Sequence, residues 1–373
     1  MLRTLPAAVA ATGVVAATTL CCSDTSAPTR AAAPRTALVA SSAASAPTLT
    51  PQQSGTTNRL QAISPVSPRV AWASGVGGTY VVTTDGGATW RAGVVPGAEG
   101  LQFRDVEGVS ETDAYLMSAG SGTASRIYKT EDGGASWSLQ FQNQDPDAFY
   151  DCFAFWSPKH GLTMSDAVNG RFPVIRTLDG VTWQDIGDRL PVAQSGEAAF
   201  AASGTCITAQ GGKRAWIATG AAAQARILAT TDGGETWAAY DTPIVQGTPS
   251  SGGLSVDFRD PLHGILGGGE LAAPGAFADD VARSSDGGKT WRLTSRVPFT
   301  GAVFGLSYVR GLAQTTVVAT GPGGAAWSPD EGDTWFSLPG VANYWAVAFA
   351  SRHAGWLVGT QGRIHKISFD QRR

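Results

Sequence analysis

Six copies of one short motif recur along this chain of 373 residues, and no other feature restricts its fold as strongly. The full form runs Asp-Gly-Gly-x-Thr/Ser-Trp, and two copies depart from it, one by a deletion and one by a Glu in place of a Gly. The aspartates of the six copies are Asp85, Asp132, Asp179, Asp232, Asp286 and Asp330. They follow one another at intervals of 44 to 54 residues, which is the length of one four-stranded blade of a β-propeller.

The residue types in the motif are those that a tight hairpin turn requires. An Asp carboxylate accepts hydrogen bonds from the backbone that follows it, and Gly adopts the positive φ angles of such turns. The final Trp supplies a large ring that fills the space between strands, so we expect Trp90, Trp137, Trp237 and Trp291 to be buried. We therefore interpret the motif aspartates as turn-forming residues rather than as catalytic acids or calcium ligands.

The last unit of the chain, residues 344–369, contains three strand patterns but no copy of the motif. Its fourth strand must come from another part of the chain, and the stretch 49–57, just before the first repeat, is the natural donor. Pairing the two ends of the chain in this way closes the ring and removes exposed sheet edges. The sequence thus predicts an all-β fold, a seven-bladed β-propeller over residues 49–373 that is closed by its N-terminal strand.

Composition agrees with a turn-rich β-protein and excludes one class of partner. The chain contains 47 Gly and 20 Pro, and only 15% of its residues are charged, against about 25% in a typical globular domain. The formal net charge is −3. Because no global positive field is present to attract a phosphate backbone, we do not expect the protein to bind nucleic acid.

The N-terminal region is predicted to be an export signal. Arg3 precedes an uncharged apolar run, residues 5–20, which is the arrangement of a secretory signal peptide. We expect residues 1–22 to be this signal peptide, residues 23–48 an Ala/Ser/Thr/Pro-rich flexible linker, and the mature protein to be periplasmic or extracellular. Acylation of Cys21 or Cys22 would add a lipid anchor, although Leu20 is not the small residue that usually precedes a lipidated cysteine.

Two cysteines, Cys152 and Cys206, remain in the region that is predicted to fold. In an oxidising compartment two such cysteines usually pair, whereas in the cytosol they would be small core residues. If the chain is exported, we therefore expect a disulfide between them.

The order of strands in a propeller blade assigns its connections to two faces. If the first strand of each blade runs from an upper face to a lower face, the motif turns all lie on the lower face. The upper face then carries the loops that differ between blades, and binding residues usually lie on such non-repeating loops. The polar residues that ring the channel mouth on this face are Arg104, Asp105, Asp151, Asp166, Asn169, Arg171 and Glu197.

We predict that these residues bind a polar or charged partner. Arg104 or Arg171 would hold a carboxylate, while Asp151 and Glu197 would accept hydrogen bonds from hydroxyl or ammonium groups. Alternatively, because Asp151 and Glu197 come from adjacent blades, they would form the carboxylate pair of a glycoside hydrolase. The chain contains no Gly-x-Ser-x-Gly, Cys-x-x-Cys or His-Glu-x-x-His motif, and we predict neither a cofactor nor a metal site.

The repeated motif is similar to the Asp-box, also called the bacterial neuraminidase repeat, over residues 59–369. Photosystem II assembly and stability factors resemble the chain more closely than sialidases do, since they are exported seven-bladed propellers built from Asp-Gly-Gly-x-Thr-Trp and carry a Ser-Gly-Thr stretch like residues 54–56. The segment 149–156 also resembles exported bacterial propellers that are often labelled oxidoreductases, although no dinucleotide fingerprint occurs here. The Arg-Ile-Pro signature of sialidases is absent.

The resemblance to the assembly factors implies a non-enzymatic scaffold that binds a protein, peptide or glycan on its upper face. It implies no catalytic residue, and we expect a monomer that contacts a membrane only through a lipid anchor, if one is present. A sialidase-like glycoside hydrolase that uses Asp151 and Glu197 is the alternative.

Overall fold

The computed structural model describes residues 46–312 and 315–370 of the chain. The predicted signal peptide, Cys21 and Cys22, and all but the last three residues of the predicted linker lie outside these described residues. Within the described part, no helix has the length and apolar character of a membrane span. Regular structure there consists of β-strands and three single-turn 3-10 helices, Gly122–Ala124, Gly187–Arg189 and Thr360–Gly362.

The described strands form seven antiparallel sheets of four strands each, which confirms the predicted all-β, seven-bladed propeller. The strand that completes the last blade is β1 (Thr48–Gln53). Blades 1 to 3 contain β2 (Leu60–Pro65), β3 (Ala71–Gly75), β4 (Thr79–Thr83), β5 (Arg91–Val94); β6 (Phe103–Gly108), β7 (Ala114–Ser118), β8 (Arg126–Thr130), β9 (Ser138–Gln142); and β10 (Tyr150–Ser157), β11 (His160–Ser165), β12 (Val174–Thr177), β13 (Gln184–Asp185).

Blades 4 to 7 follow in the same order along the chain. Their strands are β14 (Ile207–Gln210), β15 (Arg214–Ala218), β16 (Arg226–Thr230), β17 (Ala238–Asp241); β18 (Ser251–Phe258), β19 (Gly264–Glu270), β20 (Val281–Ser284), β21 (Arg292–Leu293); β22 (Gly305–Tyr308), β23 (Val317–Gly321), β24 (Gly324–Ser328), β25 (Phe336–Ser337); and β26 (Tyr344–Ser351), β27 (Ala354–Gly359), β28 (Arg363–Ser368). The first strand of each blade lies innermost and contacts the first strands of both neighbouring blades around the full circle.

The ring is closed by pairing the two ends of the chain. Strand β1 lies antiparallel to β28, with the register running from Thr48 opposite Ser368 to Gln53 opposite Arg363. The predicted donor stretch, residues 49–57, thus contains most of the observed strand, which begins one residue earlier and ends at Gln53. Because β1 fills the outer position of blade 7, that sheet has four strands, as do the other six.

Aromatic side chains fill the spaces between adjacent blades. Trp72, Trp216 and Trp356 occupy equivalent positions in the second strands of blades 1, 4 and 7, and they are at most 2% exposed. The motif tryptophans pack edge-on against such rings, as Trp90 does against Trp356 at 6.3 Å between ring centroids. Of the four motif tryptophans that we expected to be buried, only Trp90 is; the other three are half-buried, because they lie at the outer strands where one side of the ring meets solvent.

The motif aspartates build the turns that the sequence predicts. In the first copy Asp85 Oδ1 accepts a hydrogen bond from the Thr89 backbone N–H at 2.9 Å, and Asp85 Oδ2 accepts one from Thr89 Oγ1 at 2.6 Å. These hydrogen bonds lower the pKa of Asp85 to about 2. The two glycines have φ angles of 77° and 85°, in the left-handed region where Gly carries no steric penalty.

Gln52 provides a direct test of ring closure, because its side-chain oxygen accepts hydrogen bonds from two indole N–H groups. These donors are Trp90 Nε1 of blade 1 at 3.0 Å and Trp356 Nε1 of blade 7 at 3.1 Å. We expect Gln52→Leu to lower the free energy of unfolding by about 2 kcal/mol, since it leaves two partly buried donors unpaired. Urea denaturation measures this change.

The neighbouring variant Gln53→Leu is the matched control, because Gln53 is exposed on the same strand. Its unfolding midpoint should stay close to that of the wild type. Equal midpoints for both variants would show that the two indole contacts do not stabilise the closed ring.

Candidate functional site

The structure places the motif turns and the turns between first and second strands on the same face. The backbone N–H of Gly86 in the first motif donates to the carbonyl of Arg69 at 2.8 Å, and Gly133 donates likewise to Thr112 in blade 2. We call this face the lower face and the opposite one the upper face, as in the sequence analysis.

Near the upper face, five of the first strands contain one extra residue. The pairing register with the second strand shifts there by one position in blades 1, 2, 3, 5 and 7. Such a β-bulge changes the direction of a side chain without ending the strand. The residues at these bulge positions are Gln61, Arg104, Asp151, Leu254 and Trp345.

Two of the predicted site residues, Arg104 and Asp151, therefore occupy equivalent positions in neighbouring blades. Both residues were predicted because their charges do not recur in other blades. Gln61 and Trp345 at the same position were not predicted, since a one-residue bulge leaves no mark in an alternating strand pattern. The common backbone feature links residues that the sequence presents as unrelated.

A segment of blade 4, residues 198–206, crosses the upper end of the channel; we call it the channel segment. The carbonyl of Ala201 accepts a hydrogen bond from Arg104 Nη1 of blade 2 at 3.0 Å. On the other side of the channel, Ser203 Oγ donates to the carbonyl of Phe304 of blade 6 at 2.6 Å. Because these residues reach across the channel, the first strand of blade 4 begins only at Ile207.

A disulfide holds the end of the channel segment. Cys206 is bonded to Cys152 in the first strand of blade 3, and their Cα atoms lie 6.0 Å apart. The cross-link spans 54 residues of sequence, so the loop-entropy model assigns it a stabilisation of about 4 kcal/mol. Both cysteines belong to the buried cluster between blades 3 and 4.

Asp151 is 1% exposed and forms a carboxyl pair with Asp166. Burial, followed by the charge and hydrogen bond of Asp166, raises the pKa of Asp151 well above its usual value. Burial also raises the pKa of Asp166 to about 6, although hydrogen bonds from Asp151 and from the Ala199 backbone N–H, at 3.1 Å, oppose this rise. The pair is therefore expected to hold one proton near neutral pH, with Asp151 as the hydrogen-bond donor.

Asp105 is buried and joins two blades rather than facing a partner. Its Oδ2 accepts a hydrogen bond from the Phe153 backbone N–H of blade 3 at 2.8 Å, and its Oδ1 accepts one from Val106. Asp257 of blade 5 binds the Tyr308 backbone N–H of blade 6 in the same way, at 2.9 Å. Asp105 and Asp257 thus have the same structural role, because each links the first strand of its own blade to the first strand of the next blade.

Glu197 is also buried, and its carboxylate is fully engaged. It forms an ion pair with Arg226, with Arg226 Nε at 2.9 Å from Oε1. Thr219 Oγ1 and the Gln194 backbone N–H donate to the same carboxylate at 2.7 and 2.8 Å. Glu197 therefore serves as the partner of Arg226, whereas the carboxyl group that pairs with Asp151 belongs to Asp166.

The remaining predicted residues lie on the loop between the second and third strands of blade 3. Asn169 is exposed and has a φ angle of 53°. Arg171 forms ion pairs with Asp185 and Asp188 near the outer strand of its own blade, at 2.7 and 2.6 Å. Its guanidinium group is therefore occupied by acidic side chains of this chain and lies apart from the carboxyl pair of Asp151.

An arginine–aromatic group on the upper face was not predicted. The guanidinium carbon of Arg59 lies 4.5 Å from the centroid of the Trp345 ring, and Phe304 packs edge-on against Trp345 at 4.9 Å. All three side chains are half-buried. Burial, then the positive charge of Arg59, lowers the pKa of Arg104, so the two guanidinium groups are close enough to repel each other.

The described propeller is similar to several solved structures. YCF48 from Cyanidioschyzon merolae aligns with a TM-score of 0.60 and 16% identity, over 86% of this chain and 98% of that chain. U3-55K aligns at 0.57 and 12% identity over 86% and 98%, and the WD40 β-propeller domain of Doa1 at 0.51 and 12% over 87% and 98%. No protein-family model and no curated protein matches the chain.

At these identities the similarity shows the fold alone, a β-propeller. The resemblance noted in the sequence is therefore supported only at the level of the propeller architecture.

The carboxyl pair of Asp151 and Asp166 is expected to make the folded state less stable as the pH rises. Both folded-state pKa values lie above the usual value of about 4, so the folded state retains a proton that the unfolded chain loses. Stability is therefore lost as the pH rises through about 6. In Asp151→Asn the amide donates to Asp166 without a titrating proton, so the loss of stability between about pH 5 and about pH 8 should be smaller than in the wild type.

Urea denaturation at both pH values measures this difference, and Asp147→Asn is the control because Asp147 is exposed. The control should follow the wild type. If Asp151→Asn loses as much stability as the wild type over this range, Asp151 and Asp166 do not share a proton.

Proposed function

We propose that this protein is an exported, non-enzymatic β-propeller that binds a protein or peptide segment on its upper face and acts as a binding scaffold. Within the classes that the sequence left open, a protein or peptide partner is favoured over a glycan by the composition of this face. The observation that carries the proposal is the half-buried group of Arg59, Phe304 and Trp345.

Trp, Phe and Arg are the residue types enriched at protein interfaces, and Trp and Arg dominate the energetic hot spots. Here Trp345 contacts both Arg59 and Phe304, so the guanidinium group and the two rings form one continuous cluster. Trp345 occupies a bulge position, and the residues at the same position in blades 1, 2, 3 and 5 have different side chains. Packing of the repeat therefore does not require a Trp at this position.

The charges near this group favour an acidic segment in the partner. Arg59 and Arg104 repel each other, and neither Nε atom has a hydrogen-bond partner among the described residues. The carboxyl pair of Asp151 and Asp166 offsets only part of this charge, because burial raises the pKa of both groups. A carboxylate of the partner placed between the two guanidinium groups would relieve their repulsion.

The channel segment supplies a rigid base for such an interface. It is tied to blade 2 through Arg104, to blade 6 through Ser203, and to blade 3 through the disulfide. A surface that is ordered before binding loses little conformational entropy when the partner arrives. The disulfide also supports the proposal of export, because such bonds persist mainly in oxidising compartments.

Substitution of Trp345 tests the binding surface. Wild-type protein and Trp345→Ala, immobilised in equal amounts, would be exposed to a solubilised envelope fraction of the source cells, and retained proteins quantified by mass spectrometry. Loss of a hot-spot residue typically costs at least about 2 kcal/mol, so we expect retention of the specific partner to fall by about 30-fold. Thermal melting verifies that the variant is folded.

The control is Leu178→Ala, which removes a side chain that is 61% exposed in a motif turn on the lower face. It should retain the partner like the wild type. Retention that survives Trp345→Ala but is lost with Leu178→Ala would place the binding surface on the lower face and refute the proposal.

Export is tested separately by the state of Cys152 and Cys206 in intact cells. After rapid acid quenching, free thiols would be labelled with a polymer-linked maleimide and the gel shift compared before and after reduction. We expect both thiols to resist labelling until they are reduced, and the protein to be in the envelope or extracellular fraction. Free thiols in a cytosolic protein would contradict export without bearing on the binding surface.

A further inference from the structure

The upper face also contains a small apolar pocket at the junction of blades 5 and 6. Three upper-face connections meet there: the loop 271–280 of blade 5, the connection 294–304 from blade 5 to blade 6, and the turn 322–323 of blade 6. The volume of the pocket is about 40 Å³. This is room for about three water molecules, or for one aliphatic side chain of about the size of Val.

Most of the pocket wall consists of hydrocarbon groups that solvent can reach. The side chains that form it are Leu271, Pro274, Ala302, Phe304 and Pro322. Leu271 is 37% exposed and Pro274 is exposed as well, so a side chain can enter from the upper face. Glu270 also lines the pocket, but its carboxylate is occupied by Thr248 Oγ1 at 2.6 Å and the Ala272 backbone N–H at 2.9 Å.

Contacts between the loop and the connection hold the pocket in shape. The Gly301 backbone N–H donates to the carbonyl of Ala276 at 2.8 Å, and Asp279 forms an ion pair with Arg296 at 3.0 Å. Gly301 has a φ angle of 78°, and a Cβ atom there would lie 2.8 Å from the Pro274 carbonyl oxygen. The loop is therefore packed directly against the connection, and a pocket that is ordered before binding loses little conformational entropy on binding.

Phe304 connects this pocket to the arginine–aromatic group. Its ring forms part of the pocket wall and also packs against Trp345, with 4.9 Å between ring centroids. Arg59 lies 4.5 Å from the centroid of the same Trp345 ring. Because an extended chain advances about 3.3 Å per residue, about three residues separate an occupant of the pocket from a group bound at Arg59.

We propose that the pocket binds one aliphatic side chain, such as Val or Leu, of the partner segment, about three residues from the acidic residue that Arg59 binds. Burial of this side chain against the apolar wall stabilises the complex. The inference rests on the proposed function, because it assigns a second contact to the same partner.

Charge favours a partner over the N-terminal stretch of this chain as the occupant. Residues 23–45 contain Arg30 and Arg35 but only one acidic residue, Asp24. This stretch would bring additional positive charge to Arg59 and Arg104, whereas an acidic segment of a partner would neutralise them.

Selection from a phage-displayed library of random twelve-residue peptides tests the inference on the full propeller. Wild-type protein should enrich peptides in which Asp or Glu lies two to four residues from Val, Leu or Ile. The most enriched peptide would be synthesised, together with a version that has Ala at the aliphatic position, and both affinities measured by fluorescence polarisation. The Ala peptide should bind the wild type about tenfold more weakly, since one buried aliphatic side chain is lost.

Leu271→Ser removes part of the pocket wall without changing the charge of the upper face. The matched control is Leu262→Ser, because Leu262 is 53% exposed on the lower face. Leu271→Ser should discriminate between the two peptides by only about twofold, whereas Leu262→Ser should discriminate like the wild type. Such non-additivity is expected of side chains that touch each other. Melting temperatures verify that the variants are folded.

Failure of this inference differs from failure of the proposed function. If Leu271→Ser discriminates like the wild type while Trp345→Ala loses the peptide, the pocket is refuted and the upper-face proposal stands. If the wild type enriches no sequence, or if Trp345→Ala binds the selected peptide unchanged, both are refuted.

Two further results would assign the pocket to a different occupant and overturn the inference. Displacement of the selected peptide by a synthetic peptide of residues 23–45 would assign it to this chain's own N-terminal stretch. Dimers that Leu271→Ser dissociates, measured by light scattering, would assign it to a second copy of the chain.

Discussion

Pairing of strand β1 with β28 is the constraint on which the rest of the molecule depends. The two strands come from opposite ends of the described chain, and their register determines where Gln52 meets the indoles of Trp90 and Trp356. Without β1, blade 7 would end in an open edge and blade 1 would lose part of its contact with blade 7. Closure therefore fixes the positions of all seven first strands, and with them the shape of the channel and the relative placement of residues from different blades.

In this closed ring, the positions that repeat in each blade stabilise the fold, whereas the positions that differ between blades are available for binding. Each motif turn is stabilised by its own Asp and Gly, so the turn positions vary little along the chain. The bulge positions share a backbone conformation but carry an amide, a guanidinium, a carboxyl group, an aliphatic chain and an indole. Because the backbone tolerates this range, the side chains at the upper end of the channel are available for binding.

Local chemistry made much of the fold predictable. The spacing of the motif, the missing turn in the last unit and the unpaired N-terminal stretch were sufficient to predict seven blades and their closure, and the aspartates form the expected turns. The contacts of Glu197 with Arg226 and of Asp151 with Asp166 were not predictable, because they depend on how loops fold over the channel. The half-exposed motif tryptophans show the same limit, since burial at a blade rim depends on what the neighbouring blade covers.

The buried acids near the channel show how differently one fold compensates a carboxyl group. Asp105 and Asp257 receive backbone N–H groups from the next blade, and Glu197 receives a guanidinium group with two further donors. Asp151 and Asp166 reduce their charge by sharing a proton. Glu107 lies only two residues from Asp105 on the same strand and has none of these arrangements, because it is only partly buried. Structural need explains the first three cases, because each compensated acid joins two strands or loops. Buried acids are therefore retained in this fold where they join two strands or loops, whereas a partly exposed acid such as Glu107 needs no such partner.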